Sequence, residues 1–277
     1  MTLRVEPKRH GPFPGVVEPA LVSAYADATA DDTAVVLAGL AVPAVFPIVL
    51  AFEAGEQARA DLPAAIWARV RGGVHGEHDV VQHRPLRPGE AIETWTEVSA
   101  VRTVRPGTKV VVHFEHYGAD GVLAVEQWWS MILLGLDGVA DLGTLPADHR
   151  FPESAHANPL GSAVQHVADD TARKYAEVSS DWSAHHFDID VARSEGFDFL
   201  FAHGLCTMAM CVHRVLGIVG VDDPGRVARV AVRFASPTLL GGDVTVRAYG
   251  AGTGVVVFDA VCGDASVITH GRLELRP

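Results

Sequence analysis

The sequence contains two stretches that resemble each other at nearly the same offset. Each set of landmarks keeps its order and internal spacing when it recurs, 150 or 152 positions further along the chain. The landmarks are Tyr25-Ala26 with Asp31 and Tyr175-Ala176 with Asp181, then Pro85 with Gly89 and Pro237 with Gly241. Self-similarity at a fixed period is typical of a duplicated structural unit. The chain is therefore predicted to fold as two copies of one unit.

Each copy is predicted to contain a helix followed by several antiparallel strands. Alternating or continuous apolar runs separated by Gly-rich turns predict the strands. The predicted strands are 76–83, 92–101, 109–117 and 122–134 in the first copy, and 226–234, 244–248, 255–261 and 266–275 in the second. This pattern favours an α+β fold with a sheet wrapped around a helix in each copy. The predicted division is an N-terminal repeat at 1–140, a linker at 141–158 and a C-terminal repeat at 159–277.

Composition excludes several classes of protein. The net charge of −12 and the pI near 5.5 argue against binding to nucleic acid or anionic membranes, which requires a basic face. Residues 34–52 carry no charge, but Pro43, Pro47 and Gly39 interrupt them, so they are predicted to be buried core and not a membrane span. Three cysteines without a C-x-x-C pair, and no secretory signal, predict a cytoplasmic location.

The residues with the chemistry of a site lie between 179 and 207. Asp181 and His186 stand five positions apart, and Asp188 or Asp190 begins a short helix that Gly196 ends. Apolar spacing after Gly204 predicts a longer helix that begins there. A carboxylate and an imidazole can act on one water as base and acid, and helix N-terminal amides can bind a developing oxyanion.

This stretch resembles the signature of the MaoC-like dehydratases and (R)-specific enoyl-CoA hydratases of the hydratase 2 type. That signature reads Ser-Gly-Asp-x-Asn-Pro-x-His-x-Asp, followed after an Ala and a Gly-Phe by His-Gly-Leu. The matching residues are Ser179, Asp181, Trp182, His186, Asp188, Ala192, Gly196, Phe197, His203, Gly204, Leu205, Cys206 and Thr207. Three positions depart from it, with Ser180 for Gly, Ser183 for Asn and Ala184 for Pro.

The resemblance implies a double hotdog fold and reversible hydration of a trans-2-enoyl thioester to the (3R)-3-hydroxyacyl thioester. Asp181 would be the base on water, His186 would hold that water and supply the α-proton, and the Gly204 amide would bind the thioester oxygen. The substrate would be carried by coenzyme A or an acyl carrier protein, and the protein would be a homodimer without a cofactor. Candidate contacts to the carrier's phosphates are Arg193, Arg226 and Arg229.

Four further residues, Ser183, His203, Tyr175 and Trp182, are predicted to bind the substrate or to support the site. In the family the Asn helps to hold the catalytic carboxylate, so here either Ser183 does this with a shorter side chain or another group does it. His203 would orient the turn before Gly204. Tyr175 and Trp182 are predicted to be core or pocket wall. His185 is adjacent to His186, but the family spacing favours His186 as the acid.

The first copy is predicted to lack a site of its own. Val36 stands where the acid would be, five positions after Asp31. One active site per chain is expected, and the resemblance implies that the first repeat makes room for the acyl tail.

Other interpretations remain open at the level of sequence. A hotdog thioesterase would direct water at the carbonyl carbon, and a non-catalytic subunit would only bind the acyl thioester. A metal site is disfavoured, because a spacing of three places His75 and His78, or His113 and His116, on opposite faces of a strand. Cys206 and Cys211 are predicted to be buried apolar residues and not nucleophiles.

Overall fold

The computed structural model describes residues 2–277, and its main feature is an antiparallel sheet of eleven strands. In chain order the strands are β1 (His10–Val16), β2 (Gly72–Gln82), β3 (Ala91–Val104), β4 (Gly107–Gly118), β5 (Leu123–Leu134), β6 (Leu142–Gly143), β7 (Pro159–His166), β8 (Phe201–Ala202), β9 (Val227–Phe234), β10 (Thr238–Leu239), β11 (Asp243–Gly252), β12 (Val255–Cys262) and β13 (Ala265–Leu275). The sheet order is β1-β3-β4-β5-β2-β9-β13-β12-β11-β7, with β6 on β3, while β8 and β10 form a separate ribbon. The eight strands predicted from sequence and the α+β class are confirmed.

Seven helices accompany the sheet in the described part of the chain. They are α1 (Pro19–Ala28), α2 (Ala34–Leu37), α3 (Phe52–Arg59), α4 (Ala64–Trp67), α5 (Thr171–Ser179), α6 (Ile189–Ser194) and α7 (Gly204–Ile218). The predicted helix from Gly204 is α7, and its apolar side chains join the core against the strands of the second half. The corresponding helix of the first half, α3, is only eight residues long. The two halves thus share a plan but differ in their central helix.

The two halves meet along β2 and β9. These strands pair antiparallel, and Val80 stands directly opposite Val230, its counterpart at the offset of 150. Arg233 pairs with Glu77 at 2.7 Å and Arg229 with Asp79 at 2.6 Å across this junction. The sheet is therefore continuous through an approximate two-fold axis between the repeats.

Duplicated landmarks occupy equivalent places in the two halves. Tyr25 and Tyr175 are both fully buried, and their rings lie 6.1 Å apart where α1 packs on α5. Ala30 and Ser180, each one position before the repeated Asp, both have positive φ, at 50° and 62°. The turn that precedes Asp181 is thus present in both copies. The exact division at 1–140, 141–158 and 159–277 stays a prediction.

One prediction about strand geometry is wrong. The sequence spacing places His75 and His78 on opposite faces of a strand, but their ring centroids lie 5.2 Å apart. A β-bulge between His75 and Glu77 shifts the register of β2 against β5, and one extra residue reverses the side on which the following side chains lie. His113 and His116 do separate, since His113 stacks on Trp128 while His116 is buried.

The uncharged segment 34–52 packs as core interrupted by turns. Val45, Phe46 and Ile48 are buried, whereas Leu37 and Leu40 are exposed. Within residues 2–277 no helix has both the length and the apolar character needed to cross a membrane.

Candidate active site

Asp181 follows a sharp turn at the end of α5. Ser180 ends that helix with φ 62°, a left-handed conformation that explains why the resembling family has Gly here. The half-buried Asp181 then receives two hydrogen bonds on Oδ1, from the Ser183 amide at 3.1 Å and from the Ser183 hydroxyl at 2.5 Å. Ser183 itself therefore holds the carboxylate in spite of its short side chain, which is one of the two possibilities that the sequence left open.

His186 is buried and faces the same space. It ends a short 3₁₀ turn, Ala184–His186, and its Nδ1 donates to the Phe201 carbonyl at 2.9 Å. Burial lowers the pKa of His186 to about 3, with the neighbouring His203 and His185 adding to the effect. The imidazole is therefore neutral near pH 7, with the hydrogen on Nδ1 and the lone pair on Nε2.

His203 links Asp181 to the start of α7. Its Nε2 donates to the backbone carbonyl of Asp181 at 2.9 Å, and its ring centroid lies 3.7 Å from that of His186. Its Nδ1 is buried without a partner in the described residues, and burial lowers its pKa. The hydrogen bond from His203 to the Asp181 carbonyl holds the turn, which is the role that the sequence predicts for His203.

The N-terminus of α7 begins immediately after His203. The first amides of a helix lack intrahelical acceptors and carry a partial positive charge. The Thr207 hydroxyl donates to Thr238 on β10 at 3.0 Å, which fixes the first turn to the β8–β10 ribbon. Gly204 packs against Phe234, since a Cβ at this position would lie in ordinary van der Waals contact with the Phe234 ring at 3.4 Å. These amides can donate hydrogen bonds to a negative oxygen near Asp181 and His186.

Tyr175 and Trp182 differ in their exposure. Tyr175 is fully buried, with its ring 5.1 Å from that of His203 and its hydroxyl without a partner in the described chain. Trp182 is 53% exposed and packs on Phe187. Tyr175 therefore supports His203 from the core, and Trp182 lies at the rim; their contacts to substrate stay predictions.

Sequence reasoning missed the surroundings of His185. Its Nε2 lies 3.1 Å from Nε2 of His186, and its Nδ1 lies 3.1 Å from the Glu195 carboxylate. The ring stacks on Phe201 with an interplanar angle of 12°. The only signal in the sequence is the consecutive pair of histidines, because Glu195 comes within reach only after α6 folds.

The first copy's Asp31 is also paired, with a residue from the other half. His213 on α7 places Nδ1 3.1 Å from Asp31 and Nε2 2.8 Å from Asp32. Burial raises the pKa of Asp31. The hydrogen bonds from His213 and Thr33, together with the charge of His213, outweigh burial, so the pKa of Asp31 is lowered overall. The counterpart of Asp181 thus connects the two halves of the protein.

The cluster contains residue types that can bind a metal ion. Ligand atoms of Asp181, His186 and His203 lie within 4.8 Å of one another. However, Nδ1 of His186 and Nε2 of His203 are engaged with carbonyls, and Nε2 of His186 contacts His185. A cation would have to displace that contact, so the hydrogen-bonding arrangement fits acid–base chemistry better than a metal centre.

Arg229 has a structural position instead of the predicted contact to a phosphate. It binds Asp79 and donates to the Ala147 carbonyl in the linker at 2.8 Å, and its side chain is only 13% exposed. Arg193 is exposed on α6 near Asp190, and Arg226 is bound to a backbone carbonyl. Of the three arginines, Arg193 lies nearest in sequence to the site. Its contact with the phosphates of the thioester carrier stays a prediction.

Comparisons with known proteins agree on fold and domain type. Residues 151–271 match the family model described as MaoC like domain. The chain is 25% identical over 209 residues to the peroxisomal multifunctional enzyme type 2 of Mus musculus, covering 74% of this chain but only 28% of that enzyme. It is 28% identical over 227 residues to 3-hydroxyacyl-thioester dehydratase X of Mycobacterium tuberculosis, covering 81% and 74% of the two chains.

Two solved structures show the same fold. A MaoC-like dehydratase from Phytophthora capsici superimposes with a TM-score of 0.82 at 22% identity, over 96% of this chain and 95% of that one. A Mycobacterium tuberculosis protein described as a double hotdog superimposes with a TM-score of 0.63 at 15% identity, over 99% and 96%. The double hotdog fold predicted from the sequence is confirmed.

Proposed function

We propose that this chain, in which residues 151–271 match the MaoC like domain, adds water to a trans-2-enoyl thioester and removes it in the reverse direction. The predicted resemblance to the MaoC-like dehydratases is confirmed, and the relatives named above include a 3-hydroxyacyl-thioester dehydratase. The observation that carries the proposal is the meeting of Asp181, His186 and the start of α7 in one place. The expected product is the (3R)-3-hydroxyacyl thioester.

Asp181 is the base in this proposal. Ser183 orients its Oδ1, which leaves the other oxygen to take a proton from water. The water oxygen bonds to Cβ of the substrate, and the electrons of the double bond move toward the thioester oxygen. The Gly204 amide at the helix N-terminus binds that oxygen while it is negative. When the thioester carbonyl re-forms, Cα takes a proton from Nε2 of His186, which carries a lone pair at rest and has first taken that proton from solvent, while Asp181 returns the proton of the attacking water to solvent.

The substrate is proposed to be an acyl thioester of coenzyme A or of an acyl carrier protein. Relatives that span most of this length are named for thioester substrates without a stated acyl group. The homodimer and the cytoplasmic location stay predictions, which sedimentation and cell fractionation can test.

The experiment is to mix the wild type with trans-2-enoyl-CoA of increasing chain length. Loss of the conjugated absorbance without release of free thiol is expected for hydration. Release of free thiol would support a thioesterase in its place. Binding of the thioester without either change would support a non-catalytic subunit.

A further inference from the structure

A cleft lies on the face of the sheet away from α7, where the two halves join. Its volume is about 390 Å³, within the range of about 300–1,000 Å³ that is usual for small-molecule sites. Linker residues 145–150 form one wall, and side chains from β2, β4, β5, β9 and β13 form the other. The cleft is therefore large enough for a small organic ligand.

The cleft and the candidate active site lie on opposite faces of β9. Arg233 lines the cleft, whereas the next residue, Phe234, packs against Gly204 at the start of α7. Successive side chains of a strand point to opposite faces of the sheet. The described residues that line the cleft include none of the candidate catalytic residues. The cleft is therefore separate from the site of the proposed hydration.

The charged side chains of the cleft leave one positive charge without a partner. Glu77 is shared by two cations, since Nζ of Lys109 lies 2.5 Å from one carboxylate oxygen and Nη2 of Arg233 lies 2.7 Å from the other. The remaining carboxylates in and beside the cleft have one cation each, in the pairs Asp79–Arg229, Asp148–Arg150 and Glu274–Arg272. In a chain with a formal net charge of −12, this local excess favours a singly charged anion over a cation.

Two lining side chains have a hydrogen-bond donor that is not in use. Arg233 binds Glu77 through Nε and Nη2, so its Nη1 has no partner among the described residues. His270 accepts the Phe151 amide on Nδ1 at 3.3 Å, and burial and Arg233 lower the pKa of His270, so the neutral ring carries its hydrogen on Nε2. His270 also has φ 52°, an uncommon conformation for a residue with a side chain and one that clusters at functional sites.

His149 in the linker provides a third polar atom. It lines the cleft, it is 8% exposed, and its Nε2 is buried without a hydrogen-bond partner in the described part of the chain. Buried polar atoms normally have a partner, because an unmade hydrogen bond costs free energy. An oxygen of a ligand in the cleft would be the missing partner.

The cleft also has an apolar part. Leu145 is 38% exposed, Pro146 follows it in the linker, and the indole of Trp128 faces the same space from β5. Apolar surface that is in contact with water gains free energy when a hydrocarbon group covers it. The cleft therefore suits a ligand with one negative charge and one apolar part.

We propose that this cleft binds a small organic monocarboxylate, with the carboxylate at Arg233, His270 and His149 and the hydrocarbon part against the apolar side chains. A phosphate group is disfavoured, because its charge of about −1.5 to −2 near neutral pH exceeds the single positive charge available. The inference goes beyond the proposed function and holds whether or not the chain hydrates an enoyl thioester.

The test measures binding of benzoate and of hexanoate to the wild type by isothermal titration calorimetry. We expect one carboxylate per chain and a Kd about tenfold or more higher in Arg233→Gln, because that variant loses a hydrogen bond from a charged group. His270→Gly should also raise the Kd, and glycine readily adopts the φ of 52° at this position. The matched control is Arg247→Gln, which should leave the Kd unchanged. Arg247 is 46% exposed, against 47% for Arg233, and it pairs with Asp259 outside the cleft.

Two further readouts locate the ligand. Leu145→Asp places a negative charge on the linker without a change to Glu77 or its cations, and it should raise the Kd as well. NMR of ring-labelled histidine should show shifted signals for His149 and His270 when benzoate is added, and an unshifted signal for His186.

Three results would overturn the proposal. They are no binding of either carboxylate, shifts at His186 in place of His149 and His270, and an equal Kd in Arg233→Gln and Arg247→Gln. Inorganic phosphate that binds more tightly than benzoate would overturn the assignment of a monocarboxylate.

Discussion

The environment of Asp181 shows how one residue can replace another of different size. In the resembling family an Asn holds the catalytic carboxylate, and here Ser183 gives Oδ1 two hydrogen bonds from one residue. The amide bond to Oδ1 depends only on the backbone. The hydroxyl bond depends on the side chain and can be removed.

Replacing Ser183 with Ala is expected to lower kcat/KM of hydration by about tenfold. A hydrogen bond to a charged group contributes ~1.5–3 kcal/mol, and each ~1.4 kcal/mol corresponds to a factor of ten in rate. Ser183→Asn should keep most of the activity. The control is Ser194→Ala on α6, where the hydroxyl donates to the Val191 carbonyl away from the carboxylate. An unchanged rate in Ser183→Ala would show that the hydroxyl does not orient the base.

At the residue scale, local spacing predicted that the candidate acid–base residues lie close together, while their catalytic roles stay predictions. Asp181, Ser183 and His186 lie within six positions, so their meeting depends on one turn. His203 was predicted to orient that turn and does so. The sequence could not predict that Glu195 lies beside His185, because the direction of the Glu195 side chain depends on where α6 ends.

At the scale of elements, β2 to β5 share a buried chain of hydrogen bonds. His78 contacts Gln127 at 3.1 Å, Gln127 contacts His116 at 2.7 Å, and His116 contacts Thr94 at 2.9 Å. Burial lowers the pKa of His78 to about 4 and that of His116 to about 3. Both imidazoles are therefore neutral in the folded protein at pH values where the unfolded chain would protonate them.

The free energy of unfolding is expected to fall as pH decreases from about 6.5 toward 4. In this window the unfolded chain binds protons that the folded chain does not, so stability is full above 6.5 and is lost below it. Each histidine contributes up to ~1.4 kcal/mol per pH unit. The free energy of unfolding can be measured by denaturant titration at several pH values in this range. It should change less per pH unit for His78→Gln than for the wild type. An equal slope, or a change of the same size in exposed His166→Gln, would contradict this account.

Alternation of apolar residues predicted the strands of this sheet but not its irregularity. The bulge after His75 depends on how β2 and β5 pair, which residue order alone does not specify. The duplication predicted a helix in the first copy but not that α3 would have only eight residues, because only the longer run after Gly204 carries a clear helical period.

At the scale of the molecule, a buried ion pair lies at the junction of the halves. Asp79 on β2 is 5% exposed and binds Arg229 on β9. Burial raises the pKa of Asp79, and Arg229 only partly offsets this. Glu77 adds a second link, because it pairs with both Arg233 and Lys109.

Replacing Arg229 with Gln is expected to destabilise the protein by ~3–5 kcal/mol, because it leaves a buried carboxylate without its partner. Unfolding by urea should show this loss at pH 7 and a smaller loss as the pH is lowered, because burial raises the pKa of Asp79 and protonation of its carboxylate removes the charge. Arg247→Gln, which breaks an exposed pair with Asp259, is the control and should cost less than ~1 kcal/mol. Equal effects of the two variants would show that the junction does not depend on this pair.

The duplication predicted the overall plan of the molecule from ten landmark positions, five in each copy. The offset alone could not show that β2 and β9 join the copies, nor that Asp31 pairs with His213 on α7. Both features need the three-dimensional packing of one repeat on the other.

The central claim is that Asp181 activates water for addition to an enoyl thioester. The most direct measurement is the rate and stereochemistry of hydration of a trans-2-enoyl-CoA by the wild type and by Asp181→Asn. We predict (3R)-3-hydroxyacyl-CoA from the wild type and a rate at least about 100-fold lower from the variant, since that is the usual contribution of a general base. A variant that hydrates as fast as the wild type, or a wild type that yields the (3S) product, would contradict the account.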